Sequence, residues 1–189
     1  MKKSIVALFA CLSLAAGAYA QDAAEAQPAQ QQQPAQLQRV ETRTIEPVWF
    51  ALQGNETIDV VGIRLSAWGK ANDITGLDLS ICGDAVNAYG LQIALGSNEV
   101  IDRAGALQIA IGANYAGSLS GMQIGLLNES VAAKGFQIGL LNASDDVRGL
   151  QIGLLNTTNS IYGFQIGVIN IIKSSPVTFF PILNTVLGY

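Results

Sequence analysis

From Gly62 onward the chain alternates apolar residues with polar or small ones, and the alternation restarts about every 14 residues. Aligned on the residue that opens each phrase, successive rows read GMQIGLLNESVAAK from Gly121, GFQIGLLNASDDVR from Gly135 and GLQIGLLNTTNSIY from Gly149. Positions 2, 4 and 6 are apolar, as in Leu150, Ile152 and Leu154, while positions 3 and 5 are Gln151 and Gly153. A period of two predicts a strand. Positions 9 to 12 hold turn residues such as Ala143-Ser144-Asp145-Asp146, and position 13 returns to an apolar residue in Ile74, Val147 and Ile161. No row carries a helical stripe.

One row cannot fold alone. It buries four or five side chains at roughly 1.5–3 kcal/mol each, against about 1–2 kcal/mol of backbone entropy per residue. Rows must therefore stack and share a core. The expected fold is all-β: a β-solenoid of about nine 14-residue coils, standing roughly 40–45 Å tall at a 4.8 Å repeat. Its alternative is an antiparallel β-meander, which if closed would be a small β-barrel. The uniform connections and the absence of an aromatic girdle favour the solenoid, because outer-membrane barrels alternate short turns with long loops.

In a solenoid, equivalent residues lie above one another. Gln92, Gln108, Gln123, Gln137, Gln151 and Gln165 would form an amide ladder, and Asn128, Asn142, Asn156, Asn170 and Asn184 a second one. With the apolar set facing in, the Gln and Gly positions would form a flat outer surface, the one candidate interaction face. The rows from Gly90 and Ala106 depart from the motif, with one extra residue each, Ala at position 5 and no Asn at position 8. The degenerate VTFFPILN from Val177 reads as the last coil, with Pro181 protecting an edge.

The N-terminal region has a different character. Residues 1–20 carry Lys2 and Lys3, an apolar run and Ala18-Tyr19-Ala20, which reads as a signal peptide. A lipoprotein reading through Cys11 is a lesser alternative. Residues 21–47 are rich in Gln, Ala and Pro and read as a disordered spacer; residues 48–189 form the repeat domain. Removing the leader leaves 8 basic against 14 acidic residues, a net charge of −6. That balance speaks against nucleic acid as a partner and against attraction to anionic lipid. Only Cys82 would remain, excluding an internal disulfide.

The segment VVGIRLSAWGKANDITGLDLS, the serial GLQIGLLN phrases and the ending GFQIGVINIIKSSPVTFFPILN resemble the bacterial surface repeat-containing protein family. The resemblance spans about residues 48 to 185. It implies an exported chain at the cell surface, in the periplasm or at the outer membrane, with no established activity and no catalytic residue to transfer.

The residues point the same way. The chain has no His, so the commonest general base is missing. Cys82 stands where other rows have Leu and reads as core, and the Asp145-Asp146 pair reads as a solvated turn. Nothing calls for a cofactor or a metal. The expectation is a non-catalytic exported repeat protein with a structural or interaction role, its partner an envelope polymer, a glycan or another copy of itself. Membrane association would arise only for a small outer-membrane barrel or for a lipoprotein. A carbohydrate-active β-helix enzyme is the remaining reading, and it would depend on acids such as Asp78 lining one face.

Overall fold

The computed structural model describes residues 44–53 and 58–186. The signal-peptide reading, Cys11 and most of the spacer lie outside these residues. The described chain is all-β: β1 (Thr44–Gln53), β2 (Ile58–Ala110), β3 (Ala113–Ile124), β4 (Leu127–Ile138), β5 (Leu141–Ile172) and β6 (Phe179–Val186), in one sheet in that order. The first strand thus begins four residues inside the segment read as spacer, where Thr44 and Ile45 are β-branched.

β1 to β5 pair in parallel, and rows stack in register: Gly121 on Gly135, Gln123 on Gln137, Asn128 on Asn142, and then Gly135 on Gly149 and Gln137 on Gln151. Parallel stacking at one-row offsets makes the chain a β-solenoid and excludes the antiparallel meander and barrel. About seven turns form, rather than nine. The row from Val177 leaves the winding: β6 turns back and pairs antiparallel with β5, setting Asn184 opposite Gln165. That row has Phe179 at position 3, which cannot extend a ladder of amides. A bulge faces Pro181, which has no N–H to donate.

Each coil needs a corner that only glycine tolerates. Gly135 has φ of 133° and Gly149 of 143°, where a side chain is strained. A Cβ on Gly135 would also run into the carbonyl oxygen of Gly121 in the coil before it. This is why a glycine opens nearly every row.

The facing of the strands reverses the expectation. Positions 3, 8, 10 and 13 point inward, and positions 2, 4 and 6 point out. Gln137, Asn142, Ser144 and Val147 are buried in one row, while Phe136 and Leu140 are exposed. Leu154, expected in the core, is 55 % exposed, and Leu150 and Ile152 are half-buried. The apolar core is the position-13 column, with Ile74, Leu119, Val147 and Ile161, joined by small residues at position 10 such as Ala71 and Ala116. A strand's period of two leaves two facings that differ by one residue of slip. A narrow coil has no room for three large aliphatic side chains per turn, whereas amides stack on their own copies and satisfy one another.

Candidate functional site

The six predicted glutamines lie in the interior, each no more than 1 % exposed. They do form a ladder. Gln108 donates to Gln92, Gln123 to Gln108, Gln137 to Gln123, Gln151 to Gln137 and Gln165 to Gln151, through Nε2 to Oε1 at 2.8–2.9 Å. Second donors reach Ser130 Oγ from Gln137 and the Ile171 carbonyl from Gln165. A buried amide satisfied this way costs little and fixes one packing. It cannot also meet a partner, so the interaction face expected there is not at these residues.

The asparagines form the second ladder, with donors running the other way. Asn114 donates to Asn128, Asn128 to Asn142, Asn142 to Asn156 and Asn156 to Asn170, at 2.7–2.9 Å. The second N–H of each meets a strand carbonyl, as Asn128 does at Ile138 O, 2.9 Å away. That carbonyl orients the amide. Position 5 must then be small: a Cβ on Gly139 would come 2.6 Å from Asn128 Nδ2. The phrase Q-I-G-L-L-N is thus one packing unit, in which the Gly makes room chiefly for the Asn of the preceding coil.

Asn98 and Asn114 also belong to this ladder, at 2.9 Å from each other, and alignment by position misses them. In both rows one extra residue lies between Gln and Asn. The row from Gly90 carries a second extra residue, since Gln92 and Gln108 are 16 apart and the strand register shifts between Val100 and Arg103. Aligning the rows on Asn instead of Gly would have found them. Asn184 is not in the ladder, because β6 runs antiparallel.

The Gln ladder ends on charge. Gln92 Nε2 donates to Asp78 Oδ2 at 3.4 Å, and Asp78 is gripped by Arg64 through Nε at 2.7 Å and Nη2 at 2.5 Å. Both charged side chains are fully buried. Arg64 Nη1 donates onward to the Asp84 carbonyl at 3.0 Å. Here the rows change as a set: position 5 becomes Ser66 or Ser80, and position 8 becomes Gly69 or Gly83. A Cβ on Gly69 would come 3.1 Å from Arg64 Cζ, and one on Gly83 3.0 Å from Arg64 Nη2. The Asn is given up where Ser66 or Ser80, together with Arg64, takes its space. Because Asp78 is sealed from solvent, the residue on which the carbohydrate-enzyme reading depended cannot touch a polysaccharide.

Cys82 is buried, as read, and is not a free thiol. The expectation that the processed chain forms no disulfide turns on Cys11, outside the described residues. Asp145 and Asp146 sit at an outer corner and accept from the next coil, from Asn159 Nδ2 at 2.7 Å and from Ser160 Oγ respectively. Among the described residues no group of three or more potential ligands could hold a metal ion. Asp84 and Glu99 have pKa values raised above 3.8 and 4.5. For both the largest cause is desolvation; Lys70 opposes it in each case, Arg64 also opposes it at Asp84, and Asp84 adds like-charge repulsion at Glu99.

A raised carboxyl pKa favours the folded state below the unfolded value, and that stability is lost as pH rises through the folded value. Asp84→Asn is therefore expected to raise the urea midpoint at about pH 7 and to leave it nearly unchanged at about pH 4. Equal shifts at both pH values would contradict the burial effect.

The outer side offers a different surface. From Gly62 to Asn170, positions 1 to 8 carry no charge except the buried Arg64 and Asp78. The exposed charges of the coils, such as Lys134, Asp146 and Arg148, fall on positions 9 to 14. Columns of Ile at position 4 and Leu or Val at position 6 flank the glycines of position 5. They enclose an open apolar trough of about 730 Å³ that runs past Gly125, Gly139, Gly153 and Gly167 to Ile182. Scattered apolar residues are ordinary on a protein surface; here they stand in adjacent columns along one side of the stack. Comparison with family models, curated proteins and solved structures finds no match for the chain.

Proposed function

We propose that the chain is an exported, non-catalytic surface or envelope module that acts by presenting its charge-free apolar side for docking. The observation that carries this reading is the reversal of facing. The large aliphatic residues of successive coils are held outside by a core that polar amides fill. The leader and the family resemblance support export; the apolar trough supports docking. The ladders bind the interior glutamines and asparagines to one another, and Asp78 is sealed from solvent.

The test is binding of a hydrophobic fluorescent dye to the folded chain, with Leu140→Lys in the middle of the trough and Ser120→Lys on the polar side. Leu140 is 47 % exposed, so its substitution is expected to change stability by no more than about 0.5 kcal/mol. Measured on protein dilute enough to be monomeric by light scattering, dye binding should fall several-fold for Leu140→Lys and stay unchanged for Ser120→Lys. Equal binding by all three proteins would remove the docking reading, and recovery of the chain from the cytoplasmic fraction of expressing cells would remove export.

A further inference from the structure

The docking reading leaves the occupant open, and the geometry of the trough points to one. We infer that the apolar side is a dimer interface, and that its occupant is the same side of a second copy of this chain. The inference rests on the docking reading and names its partner.

The first ground is pitch. The trough and its two walls repeat once per coil, at about 4.8 Å. A surface that fills such a trough along several coils needs a ridge with the same spacing. The position-6 column supplies it: Leu126, Leu140, Leu154 and Val168 stand one coil apart and project outward, each at least 40 % exposed. The trough beside that ridge has a floor of glycine. Large and small columns side by side let two identical faces interdigitate when related by a two-fold axis, which is the self-complementary arrangement of a closed dimer. Dry packing of identical, in-register sheets is the geometry of a zipper between β-faces about 10 Å apart.

The second ground is area. Position 6 is exposed and apolar in six successive coils, from Leu95 to Val168, so a contact along it can extend with the stack toward the about 800 Å² per partner of a standard interface. The third ground is Ile182. It has φ of 71°, the one non-glycine residue with positive φ among those described, and is 75 % exposed. A β-branched residue is strained in that conformation, and it extends the trough by one further apolar side chain. Charge agrees with a second copy as well, since the acids and bases of each copy lie at positions 9 to 14, away from the contact.

Sedimentation velocity and light scattering of the full chain, from about 1 to about 100 µM, test the inference. The expected result is a particle of twice the chain mass. It should become monomeric in Leu126→Glu/Leu154→Glu, with the strand signal in circular dichroism and cooperative unfolding retained. Should that variant lose its strand signal, Ile111→Lys, in the same column of an earlier coil and 66 % exposed, serves instead. A dimer that survives these substitutions would overturn the inference. So would a wild-type chain that stays monomeric, or one that floats with neutral phosphatidylcholine vesicles instead of dimerising. A monomer that still binds the dye through Leu140 sinks the dimer and leaves docking intact; loss of both sinks both.

Discussion

Asp78→Asn is expected to lower the unfolding free energy by about 3–5 kcal/mol, the usual cost of leaving one partner of a buried ion pair uncompensated. Arg64 has no route to water from its site and can only donate. Its other hydrogen bond, to the Asp84 carbonyl at 3.0 Å, does not neutralise the guanidinium. The substituted amide would also bring donors to a place where Gln92 and Arg64 already donate. The double variant Arg64→Met/Asp78→Leu removes both charges while keeping the volume, and should recover most of the loss. It leaves Gln92 Nε2 without its acceptor, at about 1–3 kcal/mol. Denaturant unfolding of the three variants measures this, and an Asp78→Asn loss below about 1 kcal/mol would show that the pair does not anchor the ladder.

A second large effect belongs to a glycine. Gly135→Ala is expected to cost about 3 kcal/mol or more, combining backbone strain at positive φ with a backbone clash. The clash cannot be relieved by rotating a side chain, because the obstacle is the Gly121 carbonyl of the previous coil. Relief would separate two coils and break their pairing. The row from Ala106 provides the control. It already has Ala at the corner, and Ile182 is the one non-glycine residue with positive φ among those described, so that corner is built differently. Ala106→Gly should therefore change the unfolding free energy by less than about 1 kcal/mol. If Gly135→Ala proved as mild, the corner would not be what holds the coils in register.

The repeat itself was plain in the residues. Gly135 and Gly149, with the same phrase behind each, imply stacked coils, and stacking implies ladders of like residues, which is how Gln137 and Gln151 meet. The facing could not be read, because an alternation with apolar residues on one parity and amides on the other satisfies a strand either way. The usual expectation that Leu and Ile go inside then selects the wrong side. A signal was present in the rows: position 2 varies among Leu, Met and Phe, while position 3 accepts only Gln from Gln92 to Gln165, and a fixed shape is demanded inside. Its two earlier exceptions, Arg64 and Asp78, carry opposite charges one coil apart, which is a buried pair written in sequence. The apolar trough was hidden by the same inversion. The reversal at β6 was hidden because VTFFPILN keeps the Asn of the motif while Phe179 ends the amide column.

The two amide columns run with opposite polarity, and this bears on how long such a molecule can be. A file of aligned amides carries a positive pole at its N–H end and a negative pole at its carbonyl end, much as a helix does. In the Gln column the N–H end is met by the Asp78 carboxylate. In the Asn column it lies at the other end of the stack, where Asn170 Nδ2 meets the Phe180 carbonyl of β6 at 3.1 Å. The two unmatched carbonyl ends, Gln165 Oε1 and Asn98 Oδ1, likewise sit at opposite ends. Each added coil would lengthen both files equally, so their fields cancel along the shared length. A solenoid wired in this way could gain or lose whole coils without building up an axial potential, and its two caps would serve a longer version unchanged.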